Sequence, residues 1–197
     1  MYQFQRNAGL VVKTFLYQIV MSLFGIMMYS VTHKNPFLFY LGQGTVILFF
    51  LYIMSSQMYQ YGAKSCEYDW AHKCTSSPLF GFVFALLAFL PTILSSAWTL
   101  ITPPFDANGV ANAAGYVPFL LNKTFLQGMY IGISQSLYPT VAGGTSEALA
   151  AANGMALNSQ CLIYLICAIP GILFSGTFYW IGYAGFRKNK KKKDHNA

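Results

Sequence analysis

Charge is what this sequence has least of. Only 9% of its 197 residues are Asp, Glu, Lys or Arg, against about 25% in an ordinary soluble domain. With 55% apolar residues and a mean hydropathy of +0.45, the chain cannot build a water-facing globular surface, and a bilayer is the solvent it suits. Histidine is equally sparse: His33, His72 and His195 fall in polar connections or the tail, so no imidazole lies within a long apolar run. Those runs also lack Asp, Glu and Arg, which argues against a proton pump or a voltage sensor. Four cysteines, Cys66, Cys74, Cys161 and Cys167, are too few and too scattered for a secreted disulfide scaffold. There is no G-x-S-x-G, no H-E-x-x-H and no phosphate-binding loop, so neither an enzyme nor a cofactor is expected.

What the chain does have is four long uncharged or nearly uncharged runs, at about 14–31, 37–56, 79–101 and 161–186. Each is close to the ~20 helical residues that cross a bilayer. The first exceeds the usual h-region of a cleaved signal peptide and is read as an uncleaved span. His33 and Lys34 occupy a turn so short that the first two spans must be antiparallel neighbours. In the third run Gly81, Ala85 and Ala88 share a face that another helix can approach closely. Pro91 interrupts its hydrogen bonding, with Ser95 and Ser96 one turn on as candidates to re-satisfy the backbone. The fourth run carries Pro170 and the small residues Gly171, Ser175 and Gly182. We expect an all-α integral membrane protein, one membrane domain over 1–197, with four transmembrane helices and an interfacial or re-entrant helix in the third, outer loop.

Basic residues set the expected topology. Arg187, Lys188, Lys190, Lys191, Lys192 and Lys193 come after Trp180 and Tyr183, the order of a membrane-edge anchor. With both ends inside, Arg6, Lys13, Lys64, Lys73 and these six share one side, ten of the 12 Lys and Arg; Lys34 and Lys123 remain outside. This clustering fits a plasma (inner) membrane protein with cytoplasmic termini, and it makes lipid rather than nucleic acid the partner of the net charge of +7.

The segment 103–160, rich in Gly, Ala and Asn, is where recognition is expected. Between Pro118 and Pro139, the residues Phe125, Met129, Ile133 and Leu137 recur every four positions, a helical period. Together with Tyr130 they form the candidate partner or ligand surface. Gln127 and Ser134 lie on another face, and Gly128 and Gly132 make a small-xxx-small pair. A full span is disfavoured because the apolar part is only about 15 residues long and a fifth crossing would put one basic terminus outside. Asn122-Lys123-Thr124 matches a glycosylation sequon, read as a chance occurrence. Glu147, behind Thr145 and Ser146, opens a capped helix start that could extend the last span outward, with Asn153 and Gly154 as interruptions.

One cluster has metal-ligand chemistry: Cys66, His72 and Cys74, with Glu67 and Asp69. Its spacing matches no zinc pairing, and a solvated loop with reduced thiols is expected instead. Function is therefore expected to be non-enzymatic: a subunit or accessory of a membrane transport or export assembly, meeting membrane-protein partners or further copies of itself through its small-residue faces. The alternative is a self-contained transport or binding module for a neutral or aromatic ligand. A metal or redox protein using the Cys/His loop comes last.

Overall fold

The computed structural model describes residues 2–72, 77–141 and 147–195. The chain is 87% helical, and the described residues contain no strand. In order the helices are α1 (Tyr2–Thr32), α2 (Pro36–Ala71), α3 (Phe80–Ile101), α4 (Ala113–Leu121), α5 (Ile131–Leu137) and α6 (Glu147–His195). A π turn, Asn122–Leu126, and a 3-10 turn, Gly128–Tyr130, separate α4 from α5. Four segments are long and apolar enough to cross a membrane: Ala8–Thr32, Pro36–Ala71, Phe80–Ile101 and Ala148–Lys188.

Three helices outrun their apolar runs. α1 begins at Tyr2, α2 continues through residues 57–71, where the sequence suggests a polar loop, and α6 spans residues 147–160 as well as the basic tail. Hydropathy marks where lipid should end. A helix ends only where capping or a breaker stops it, and Tyr59 to Ala71 holds no proline. Asn153 and Gly154 do not interrupt α6. The Val141 N–H donates to Asn153 Oδ1 (2.9 Å), Asn153 Nδ2 donates to the Val141 carbonyl (3.0 Å), and a Cβ on Gly154 would press on Gly109 and Phe105. Five positions on, Asn158 clamps Phe105 in the same two-bonded way, at 3.1 and 2.8 Å. Asn158→Leu should therefore cost about 1–2 kcal/mol; faster amide exchange confined to residues 105–112 would show it, and unchanged exchange there would contradict it.

Two compact units can be described separately. One comprises Met1–Leu16, Phe50–Phe89 and Pro170–Ala197. Its core is Leu10, Met58, Phe84, Ala85 and Tyr179, all fully buried. Here glycines let backbones touch: a Cβ on Gly62 would strike the Tyr179 carbonyl, one on Gly182 the Tyr59 carbonyl, and one on Gly81 the Tyr179 side chain. The Tyr179 hydroxyl then reaches Ser65 Oγ (2.9 Å), and Tyr183 donates to the buried Asp69 carboxylate (2.9 Å). The small-residue faces of α3 and α6 are thus filled from within the chain: Gly81, Ala85, Ala88, Gly171, Ser175 and Gly182 are all buried.

The other unit comprises Tyr17–Phe49 and Leu90–Ile169, and it contains the interrupted segment α4 to α5. α4 is seated by Trp98, whose Nε1 donates to the Ala114 carbonyl (3.0 Å), and by Gly115, which lies on the Thr102 and Pro103 carbonyls. Ser95 and Ser96 do not serve Pro91 as expected: Ser95 Oγ donates to the Thr92 carbonyl (3.1 Å), and Ser96 accepts from Asn122.

Candidate functional site

Neutral polar side chains run along the inner faces of two helices of the second unit. On α1, Gln18 and Ser22 are one turn apart; on α3, Thr92, Ser96 and Thr99 stand at i, i+4 and i+7, and all five are buried. Thr92 Oγ1 donates to Gln18 Oε1 (3.3 Å). Asn122 Nδ2 donates to Ser96 Oγ, which ties the π turn to α3.

Seven consecutive residues from Leu126 to Gly132 are buried, and glycines make this possible. A Cβ on Gly128 would meet the Ser22 carbonyl, one on Gly25 would meet Met129 Cα, and one on Gly132 would meet the Gln43 side chain. Gln43 Nε2 donates to the Gly25 carbonyl (3.3 Å), and the Ser134 and Tyr164 hydroxyls lie 3.1 Å apart. The backbone breaks at Gln127 (φ −137°, ψ 22°), whose N–H donates to the Asn122 carbonyl at i−5 (2.7 Å), while its own carbonyl accepts from Tyr130 N–H (2.9 Å). Single-turn π segments inside α-helices often mark functional positions.

Several of these polar groups lack a hydrogen-bond partner although they are buried: Ser22 Oγ, Gln43 Oε1, Asn122 Oδ1, the Tyr130 hydroxyl, Gln160 Oε1, and both amide atoms of Gln127. For Asn122, turning the amide over would only exchange which end is unpaired, whereas Gln43 is fixed by its bond to the Gly25 carbonyl, which only an N–H can make. Gln127 has neither amide atom paired, and its side chain is fully enclosed. An unmade hydrogen bond in a buried position costs about 1–3 kcal/mol. Lys123, on the same π turn, is half-buried with Nζ 5.4 Å from the Phe119 ring centroid.

The five residues of the expected recognition surface separate. Phe125, Ile133 and Leu137 are 46%, 36% and 59% exposed, whereas Met129 and Tyr130 are buried. Met129 and Tyr130 fall in the 3-10 turn between the π turn and α5, where the regular helical period that carries Phe125, Ile133 and Leu137 is interrupted. Asn122 is 1% exposed, so the sequon cannot carry a glycan in this fold. Of the metal candidates, Cys74 lies outside the described residues. Cys66 is buried, while the exposed His72 stacks on Tyr68 at 3.9 Å. Among the described residues no three His, Cys, Asp or Glu are placed to hold a metal. Arg187 and Lys188 are exposed on α6; Lys190, Lys191, Lys192 and Lys193 continue its backbone.

The arrangement defines a helical protein with membrane-spanning segments and an unpaired polar centre at a broken helix. No known protein family, curated protein or solved structure matches the chain.

Proposed function

We propose that this chain is a self-contained membrane binding and transport module, non-enzymatic, whose site is the broken helix around Gln127 and whose ligand is a small uncharged solute bearing several hydrogen-bond donors. The observation that carries this reading is the fully enclosed Gln127 amide with neither atom partnered. In the same unit Gln43 Oε1 and Gln160 Oε1 are orphaned acceptors whose amides are fixed by Nε2 bonds to backbone carbonyls, which favours a ligand with donors, and no carboxylate is among the orphaned groups to balance a cation.

Membrane depth supports the reading. Gly128 packs on Ser22, ten residues before the end of α1, and Gly132 on Gln43, seven after the start of α2. At 1.5 Å per residue these contacts lie about 10–15 Å inward of the turn joining the two helices. We therefore read α4 to α5 as a re-entrant segment, its outward face apolar through Val117, Leu121, Phe125 and Leu137. Irregular backbone at such depth is tolerated where it is buried in protein or lines a cavity, and interrupted helices are where transporters bind. The positive-inside pattern orients both termini to the cytoplasm of a plasma (inner) membrane. The accessory-subunit reading is less favoured because the small-residue faces meant for partners are occupied within the chain.

In proteoliposomes, stopped-flow light scattering with glycerol, urea and formamide should show faster solute entry than in protein-free vesicles, lost in Gln127→Leu. Equal rates in all three preparations would contradict transport of this solute class.

A further inference from the structure

A second feature of the same unit is not used by the polar centre. Two cavities, of about 380 and 400 Å³, adjoin along α2 and share Phe39, Tyr40 and Ser136. The outer one is bordered by His33, Pro36, Gln135 and Thr140; the inner one by Gly44, Ile47, Ile133 and Leu137. They form a trough with α2 as one wall and α5 as the other. From Pro36 to Ile47 it extends about 16 Å along the helix. Exposed Leu41 and Leu48 lie on α2 beside it, so the trough belongs to the apolar, lipid-exposed exterior.

Its chemistry is graded. Imidazole, amide and hydroxyl groups sit at the turn end, and the inner end is mostly hydrocarbon, with Gln43 and Ser136 as its polar members. The charge at the mouth has one sign: Lys34 is exposed between the mouth residues His33 and Pro36, and no lining residue of either cavity is acidic. His33 Nδ1 lies 2.9 Å from the Ser30 carbonyl, so this nitrogen carries a proton and Nε2 is the ring atom left for another partner. Basic pockets at the ends of membrane helices attract lipid phosphates, at about 1 kcal/mol per basic residue near the surface. At the inner end Gly44 leaves real space: a Cβ there would meet nothing within 4 Å.

We propose that this trough seats one anionic diacyl phospholipid of the surrounding bilayer, its phosphate at His33 and Lys34 and one acyl chain along Gly44, Ile47, Ile133 and Leu137. This site abuts the polar centre at Gln43 and Gly132, which also line the inner cavity, but its lipid contacts do not use Gln127 and stand whether or not that centre binds a solute.

The test uses the full chain in nanodiscs of phosphatidylcholine doped with phosphatidylglycerol carrying a photoactivatable group on its acyl chain. Adducts are mapped by mass spectrometry. Labelling at Ile47, Ile133 and Leu137 should exceed severalfold that at Leu94 and Leu173, which are about as exposed as Leu137 and more exposed than Ile133 and Ile47. Gly44→Phe should remove the excess while leaving Leu94 and Leu173 unchanged; Ser136→Trp, at an exposed position, is a second plug should the first variant fold poorly. The pair Lys34→Gln and His33→Gln should lower trough labelling by phosphatidylglycerol but not by the equivalent phosphatidylcholine. Even labelling around the exposed belt, labelling indifferent to both plugs, or protein–protein cross-links at these positions in place of lipid would overturn the proposal.

Discussion

Gln127→Leu is expected to raise the stability of the ligand-free protein by about 1–3 kcal/mol, the reverse of what removing a buried, hydrogen-bonded side chain does. The two side chains are of similar size, so no large cavity or overpacking accompanies the exchange. What changes is that two polar atoms with no partner in the structure are replaced by hydrocarbon. A buried residue that lowers stability points to a role other than folding, and a site held ready for a ligand is such a role. The measurement is thermal unfolding in detergent, wild type against variant. Lower stability of the leucine variant would mean that Gln127 supports the fold and would remove the basis for a binding centre there. The same variant should show no ligand-dependent stabilisation, since mass action raises the stability only of a state that binds.

Gly25→Ala and Gly128→Ala should each be strongly destabilising, by about 3 kcal/mol or more, because one methyl group would have to enter backbone rather than side-chain space. At Gly25 the added carbon meets Met129 Cα and the Gly128 carbonyl; at Gly128 it meets the Ser22 carbonyl. Backbone there cannot yield unless the interrupted segment withdraws from α1. The control lies on the next helix. Gly44→Ala meets nothing and removes a helix-interior glycine, so it should be neutral or stabilising by up to about 1 kcal/mol. Thermal unfolding of the three variants decides it: similar behaviour would show that the segment does not pack on α1 as described, whereas the expected split locates the close approach at Gly25 and Gly128.

The four segments long and apolar enough to cross a membrane were legible because uncharged runs of this length have few other readings; Thr145 and Ser146, on which the capped start was read, lie outside the described residues. Helix ends were not legible from hydropathy: Tyr59 to Ala71 is polar yet helical, since nothing in it breaks the hydrogen-bond ladder. The period of four through Phe125, Met129, Ile133 and Leu137 signalled helix correctly but hid the break, because no local propensity announces a π turn; tight packing of Gly128 and Gly132 against other helices accompanies it. Charge was the wrong signal for the site. Gln18, Ser22 and Thr92 are uncharged and drew no attention, and Ser96 and Asn122 were read for other roles, although Gln18 with Ser22 and Thr92 with Ser96 carry the i, i+4 spacing of one helix face.

The most direct measurement places a cysteine at the break. A thiol reacts as the thiolate, so it responds to a reagent only where water or polar groups can stabilise the charge. With Gln127→Cys, the small uncharged reagent methyl methanethiosulfonate should modify position 127 much faster than it modifies Cys161 or Cys167, which are free and buried in the same unit. Modification of residue 127 no faster than of those two thiols would mean that the centre is dry and closed, and would contradict a polar site there.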